Sequence, residues 1–131
     1  MGQNEPVVIG VDVGGTKILI GCVTRQGEIV RRQRWAMNRS DQGAALTSIE
    51  TALDGFMSSL GPGPAPLALG VGVVGQVDPA TGTWVQAMNI PICTPVPLAA
   101  YLQERYHLPV AVDNDVHAAT LAEQRWGAGR G

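Results

Sequence analysis

The chain has 131 residues, 45% hydrophobic and 15% charged, with a formal net charge of −2, which is the length of one domain that can bury a sizeable core unaided. The near-neutral charge argues against nucleic-acid and membrane partners. No apolar run approaches the ~20 residues that span a bilayer. The N-terminus lacks the positive side chains of a secretion signal. Cys22 and Cys93 are too few for a disulfide framework and lack metal-ligand spacing, so we expect a cytoplasmic globular protein with no zinc site in this chain.

Three predicted strands open the chain. Residues 7–13 form a nearly continuous β-branched run, which predicts a buried strand, and a glycine turn leads into a second strand over 17–23. The third strand, over 28–35, carries Arg31, Arg32 and Arg34, so we expect it at an exposed sheet edge. Short turns between these strands predict an antiparallel meander.

Helices and strands then alternate. Apolar residues at three- and four-residue steps predict a helix that Ser40 or Asp41 caps and that the Gly/Pro segment 61–66 ends. The remaining elements are a strand over 67–74, a helix that begins at Pro97, a strand over 109–113 and a helix over 116–126. The predicted fold is therefore a single α/β domain over 1–131 with a mixed sheet and the order β-β-β-α-β-α-β-α.

The turn between the first two strands is a candidate phosphate site. Gly14 and Gly15 leave room for a phosphate to approach backbone N–H groups, while Thr16 adds a hydroxyl donor and Lys17 adds a cation. Asp12 ends a buried strand, where an unpaired carboxylate is costly and can hold a metal-bound water. A plain Gly-Gly hairpin is the alternative, and the position of Asp12 favours the phosphate interpretation. The Walker spacing is absent.

A second glycine segment follows the fourth strand. Gly70, Gly72 and Gly75 match the spacing G-x-G-x-x-G, but a dinucleotide fingerprint must open a helix, and Pro79 and Gly82 instead predict a turn. Gly72 and Gly75 can let a substrate lie close to the backbone. A tight strand exit explains the same pattern, and the pattern alone slightly favours it.

Polar residues end the fifth strand, and another polar residue lies in an earlier loop. Asp113, Asn114 and Asp115 are of the residue types that cap helices, and capping alone explains them. Three polar residues at the carboxyl end of a strand also suit a ligand crevice in which a carboxylate acts as general base. Asn89 follows an extended run and can either donate to a substrate hydroxyl or form an Asx-turn. The residues alone leave both alternatives open.

Taken in order, these motifs resemble the N-terminal lobe of glucokinase-like sugar kinases of the ROK family (repressors, open reading frames and sugar kinases). Residues 12–17 are similar to the family's first phosphate motif and residues 70–78 to its sugar-side glycine segment. Asn89 stands where the family has a sugar-binding asparagine, and Asn114 and Asp115 match its catalytic helix entrance. The resemblance covers essentially the whole chain and implies a ribonuclease H-like, actin-like ATPase lobe.

The resemblance implies a sugar site and a catalytic base. Asp115 would take the proton from the sugar hydroxyl that attacks the γ-phosphate of ATP. Asn114, Asn89 and Asp115 would hold sugar hydroxyls, and Gly72 and Gly75 would line the pocket. The substrate would be a hexose or an N-acetylhexosamine, and departures from the family pattern over 74–76 and 90–96 leave the identity of the sugar open.

The resemblance also implies a nucleotide site. Gly14, Gly15, Thr16 and Lys17 would face the phosphates of ATP, and Asp12 would bind magnesium through water. Such a division of roles fits phosphoryl transfer, in which positioning and charge stabilisation dominate.

The resemblance implies a homo-oligomeric kinase as the parent protein. In this family ATP lies between two lobes, and the C-terminal lobe is absent from these 131 residues, so we expect the chain alone to be inactive. Two alternatives remain, a sugar-sensing domain of a ROK repressor and a non-catalytic sugar- or nucleotide-binding domain. A repressor of this family carries a helix-turn-helix before the glycine motif, and only six residues precede Val7.

Overall fold

The computed structural model describes residues 6–24, 26–61, 66–87, 90–91 and 94–114. The elements in these ranges are β1 (Val7–Val13), β2 (Lys17–Thr24), β3 (Ile29–Ala36), α1 (Gln42–Ser59), β4 (Leu69–Val73), β5 (Gln76–Asp78), β6 (Thr83–Gln86), α2 (Leu98–Tyr106) and β7 (Val110–Asp113). The five predicted strands and the first two predicted helices are thus present, and the helix predicted over 116–126 lies outside the described residues. Neither described helix is long and apolar enough to cross a membrane.

Five strands form one mixed sheet in the order β3-β2-β1-β4-β7. β1, β2 and β3 pair antiparallel, as the predicted meander requires, whereas β4 lies parallel to β1 and β7 lies parallel to β4. β3 is an edge strand and its three arginines are exposed, which confirms the sequence-based placement. The carboxyl ends of β1, β4 and β7 consequently meet at one edge of the sheet.

The main core lies between one face of this sheet and the two helices. Alternate residues of β1 and β2 point into it because strand side chains alternate between faces. From α1, Ile49, Leu53 and Phe56 pack against the sheet, and the ring of Trp35 on β3 meets Phe56 edge-to-face with centroids 6.2 Å apart. Asp41 caps α1 through its Oδ1, which accepts from the Ala44 N–H at 2.8 Å, as one of the two predicted caps.

Between β4 and α2 the structure adds a hairpin that the sequence did not predict, and it forms a separate two-stranded sheet. β5 and β6 pair antiparallel around residues 79–82, so the turn predicted from Pro79 and Gly82 is confirmed, but it joins two strands. These strands have three and four residues; Trp84 is their one buried side chain, and Val77 is half-buried. Segments this short give no readable alternation of apolar and polar residues.

α1 and α2 meet through polar side chains at the surface. Arg105 Nη2 lies 2.6 Å from Asp54 Oδ2, and the Tyr106 hydroxyl donates to Asp54 Oδ1 at 2.6 Å. The Tyr101 hydroxyl donates to Glu50 on the next turn of α1. Hydrogen bonds from Arg105 hold the pKa of the Asp54 carboxyl below its usual value.

Candidate functional site

One row of the sheet brings three of the sequence motifs together. Asp12 of β1 is the register partner of Gly72 of β4, and Gly72 is the partner of Asp113 of β7. Partners in neighbouring strands point to the same face, so two carboxylates flank a position that has no side chain. With two strand spacings between them, the Asp12 and Asp113 Cα atoms are about 10 Å apart. The row places two partly buried carboxylates on either side of the buried Gly72 at the carboxyl edge of the sheet, an arrangement called the acidic notch below.

The glycine turn follows β1 directly after this row and joins it to β2. The Gly14 N–H donates to the Lys17 carbonyl at 2.9 Å, and a Cβ at Gly14 would lie 3.1 Å from that oxygen. The Gly14 N–H is therefore used inside the turn. The N–H groups of Gly15 and Thr16 have no hydrogen-bond partner in the described part of the chain, and the Thr16 and Lys17 side chains are exposed. Two backbone donors, one hydroxyl and one cation are thus available to an anion.

Asp12 lies partly buried beneath this turn, and within the described ranges its carboxylate has neither a hydrogen bond nor an ion pair. No group of three or more His, Cys, Asp or Glu side chains in the same ranges is arranged to hold a metal ion. Magnesium commonly keeps several waters and takes only one or two protein carboxylates. The surroundings of Asp12 fit an ion of that kind better than a fully protein-ligated ion.

The segment that follows Gly72 is fixed by packing. Gly75 has φ +95°, and a Cβ there would overlap the Gln86 carbonyl and lie 2.7 Å from the Ala87 Cα. The indole N–H of the fully buried Trp84 donates to the Val74 carbonyl at 2.9 Å. The hairpin therefore requires glycine at position 75 on steric grounds, whether or not a substrate also approaches it.

Of the predicted sugar-binding residues outside the acidic notch, the structure describes some and not others. Asn114 is exposed directly after β7, and its backbone N–H donates to Asp113 Oδ1 at 2.7 Å. Asn89 and Asp115 lie outside the described residues, so their assigned roles stay predictions. Asp113 was predicted only as one of three polar residues that either cap a helix or face a ligand crevice, and no role of its own was assigned to it. Its signal is the alternation within β7, which puts it on the same face as Ala111 and in the row of Asp12.

Known proteins resemble this chain both in sequence and in fold. The sequence profile described as "ROK family" matches residues 8–131. The glucokinase of Halalkalibacterium halodurans is 40% identical over 125 residues, which are 94% of this chain and 38% of that protein. The crystal structure of a ROK family glucokinase from Streptomyces griseus in complex with glucose and AMPPNP has 37% identity and a TM-score of 0.72, over 95% of this chain and 38% of that one.

A regulator shares the architecture. A ROK family transcriptional regulator homologous to the Escherichia coli Mlc protein has a TM-score of 0.78 over 90% of this chain and 30% of that one, and its 19% identity shows the fold alone. The present chain spans 38% of the length of the glucokinases that it matches. The predicted actin-like ATPase architecture is confirmed by these neighbours. With a family profile that covers nearly all of its residues, the chain belongs to the ROK family.

Proposed function

We propose that the chain is the N-terminal lobe of an ATP-dependent hexose kinase, which transfers the γ-phosphate of ATP to a sugar hydroxyl. The observation that carries the proposal is the row Asp12–Gly72–Asp113, because it gathers the phosphate turn, the sugar-side glycine segment and the strand before Asn114 at one edge. Phosphoryl transfer needs this kind of convergence, since donor and acceptor must be held in line. Similarity to glucokinases supports the same assignment.

On the donor side, the turn of Gly14, Gly15, Thr16 and Lys17 holds the phosphates of ATP. The N–H groups of Gly15 and Thr16 donate to phosphate oxygens, and Lys17 offsets their negative charge. Asp12 would hold magnesium through water. When bound, magnesium neutralises part of the charge that develops on the phosphates.

On the acceptor side, Asn114 and Asn89 orient the sugar through its hydroxyls, and Gly72 leaves space for the ring. Asp115 takes the proton from the attacking hydroxyl as the new bond to phosphorus forms, and the nucleoside diphosphate leaves on the opposite side. The hydrogen bond from the Asn114 N–H to Asp113 fixes the start of this segment. The sugar is a hexose or an N-acetylhexosamine.

The proposal includes a cytoplasmic location and a homo-oligomeric full-length protein, without nucleic-acid or membrane partners. The decisive experiment is a coupled ADP-release screen of the full-length protein with glucose, N-acetylglucosamine, N-acetylmannosamine, fructose and allose. We expect sugar-dependent ADP release with at least one of them. Sugar binding without ADP release would favour a sugar-sensing repressor domain or a non-catalytic binding domain and would overturn the kinase assignment.

The role of Asp12 has its own test. Replacing Asp12 with Asn in the full-length protein removes a charge that attracts magnesium, so we expect the magnesium concentration for half-maximal rate to rise about tenfold or more. The KM for the sugar should change less than about twofold, because Asp12 acts on the donor side. Asp41→Asn is the matched control, since asparagine also caps helices. An unchanged magnesium requirement in Asp12→Asn would contradict the role.

A further inference from the structure

We propose that Gln42 is a positioning residue for the acceptor sugar, which acts by holding Thr94, and through it the sugar-side glycine segment, against the start of α1. The inference rests on the proposed kinase function and adds a residue to it. Gln42 is the first residue of α1 and lies outside every motif that the sequence points to.

The contact between Gln42 and Thr94 is a closed pair of hydrogen bonds. The Thr94 N–H donates to Gln42 Oε1 at 3.1 Å, and Gln42 Nε2 donates to the Thr94 hydroxyl at 3.2 Å. One carboxamide thus uses both its acceptor and its donor on a single residue that is 52 positions away in sequence. Paired hydrogen bonds fix an orientation as well as a distance. The pair therefore sets how the chain at Thr94 lies on the start of the helix.

From Thr94, further hydrogen bonds lead to the sugar-side glycine segment. Val96 follows two residues later and exchanges two backbone hydrogen bonds with Trp84, at 2.7 and 2.8 Å. The indole N–H of Trp84 in turn donates to the Val74 carbonyl, which belongs to the glycine segment. Trp84 is fully buried, and a close-packed core transmits a displacement rather than absorbing it. A shift of Thr94 is therefore passed on to the glycine segment.

The start of α1 is also tied to the phosphate turn. The chain enters the helix from β3, and on the way the Met37 N–H donates to the Thr16 carbonyl at 3.1 Å. Asp41 caps the helix immediately before Gln42. Gln42 therefore connects the acceptor side of the site to a helix start that is held beside the donor side. Phosphoryl transfer depends on the relative placement of these two sides.

The place of Thr94 in the sequence connects this contact to the sugar. Thr94 lies five residues after Asn89, the predicted sugar-binding asparagine, and within the stretch 90–96 that departs from the family pattern. Supporting hydrogen bonds of this kind determine how closely a binding site keeps its productive geometry. Without the Gln42 contact, sugar binding must also fix the position of Thr94, and that ordering lowers the affinity.

The test is calorimetric sugar binding to the full-length protein and its Gln42 variants, with the sugar of the screen that binds most tightly. Gln42→Leu removes both hydrogen bonds but keeps a good helix former. We expect its sugar Kd to rise about tenfold and its ATP Kd to change less than about twofold. Gln42→Glu should keep the sugar Kd within about threefold, because a carboxylate accepts from both the N–H and the hydroxyl of Thr94.

Gln103→Leu is the matched control. It makes the same replacement at an exposed position of α2, where the side chain has no hydrogen bond within the described ranges. Its sugar Kd should stay within about twofold of the original. The sugar KM of Gln42→Leu should follow its Kd, while kcat falls less than about threefold, because the bound sugar restores the arrangement. A merely structural role would not restrict the effect to the sugar.

The outcomes separate the role of Gln42 from the kinase assignment. An unchanged sugar Kd in Gln42→Leu, an equal rise in Gln103→Leu, or a rise in Gln42→Glu as large as in Gln42→Leu would overturn the positioning role. Sugar binding without ADP release by the unmodified protein would overturn the kinase assignment. A sugar Kd that depends on Gln42 as described would support the positioning role even then.

Discussion

At the scale of the residue, two glycines with similar backbone angles allow the cost of backbone strain to be distinguished from the cost of a steric clash. Gly75 has φ +95° and Gly27 has φ +80°, a region that costs an L-residue about 1–2 kcal/mol. A Cβ at Gly75 would collide with the backbone of β6, whereas a Cβ at Gly27 would meet no atom within 4 Å. A side chain at Gly75 therefore adds a steric clash to the backbone strain, whereas a side chain at Gly27 adds the strain alone.

We expect Gly75→Ala to lower the free energy of unfolding by about 3 kcal/mol, because strain and backbone displacement add, and Gly27→Ala to lower it by about 1 kcal/mol. Urea unfolding of both variants measures the difference. Equal effects would mean that the β5–β6 hairpin yields to the new methyl group, and Gly75 would then lose its steric explanation.

Some features of the candidate site can be predicted from the sequence, and others cannot. Asp12 could be singled out because an acid at the end of an apolar strand is unusual, and that signal is local. The alignment of Asp12 with Gly72 and Asp113 depends on the register of three strands that are distant in sequence. No local pattern encodes that register. The sequence likewise does not reveal that the Gly14 N–H donates a hydrogen bond within the turn.

At the scale of the element, α1 contacts α2 through two carboxylates, Glu50 and Asp54, and Asp54 carries the closer ion pair. Arg105 and Tyr106 both hydrogen-bond Asp54, and the hydrogen bond from Arg105 is the main reason that the Asp54 pKa is lowered. A carboxyl whose pKa is lower in the folded state stabilises the fold above its unfolded pKa. That contribution is lost as the pH falls through the folded pKa.

Asp54→Asn should lower the free energy of unfolding by about 0.5–1 kcal/mol at pH 7, a small effect because solvent screens the exposed pair. The difference between variant and unmodified protein should shrink as the pH falls below about 4, the usual pKa of an unfolded aspartate, and through the lower folded pKa of Asp54. Urea titrations at pH 7 and pH 3 give the measurement. The control is Glu104→Gln on α2, an exposed carboxylate without an ion pair among the described residues. A difference that stays constant with pH would contradict the account.

Elements with strong periodicity were predictable and short ones were not. The β-branched run of β1, the arginine-rich edge strand β3 and the apolar stripe of α1 with its cap at Asp41 all give signals over seven or more residues. The β5–β6 hairpin has strands of three and four residues. Its stability comes from tertiary contacts such as the Trp84–Val74 hydrogen bond, which sequence periodicity does not report.

At the scale of the whole molecule, the sheet gathers at one edge residues that sequence separates by about a hundred positions. The chain nevertheless spans only 38% of the related glucokinases. We therefore expect the 131 residues by themselves to show no steady sugar-dependent ATP consumption, because half-formed sites lose the positioning on which phosphoryl transfer depends. A coupled assay of the purified chain and of the full-length protein at equal concentration checks this. Equal turnover by both would contradict it.

The central claim is that this edge holds the acceptor sugar against the phosphates of ATP, with Asp115 as base. The most direct measurement is the steady-state kinetics of the full-length protein and its Asp115→Asn variant, with sugar affinity measured separately by calorimetry. Loss of a general base lowers rates by about 10²–10⁴-fold, so we predict a fall in kcat of that size with a sugar Kd within about threefold of the original. Retained turnover with normal sugar affinity would contradict the account.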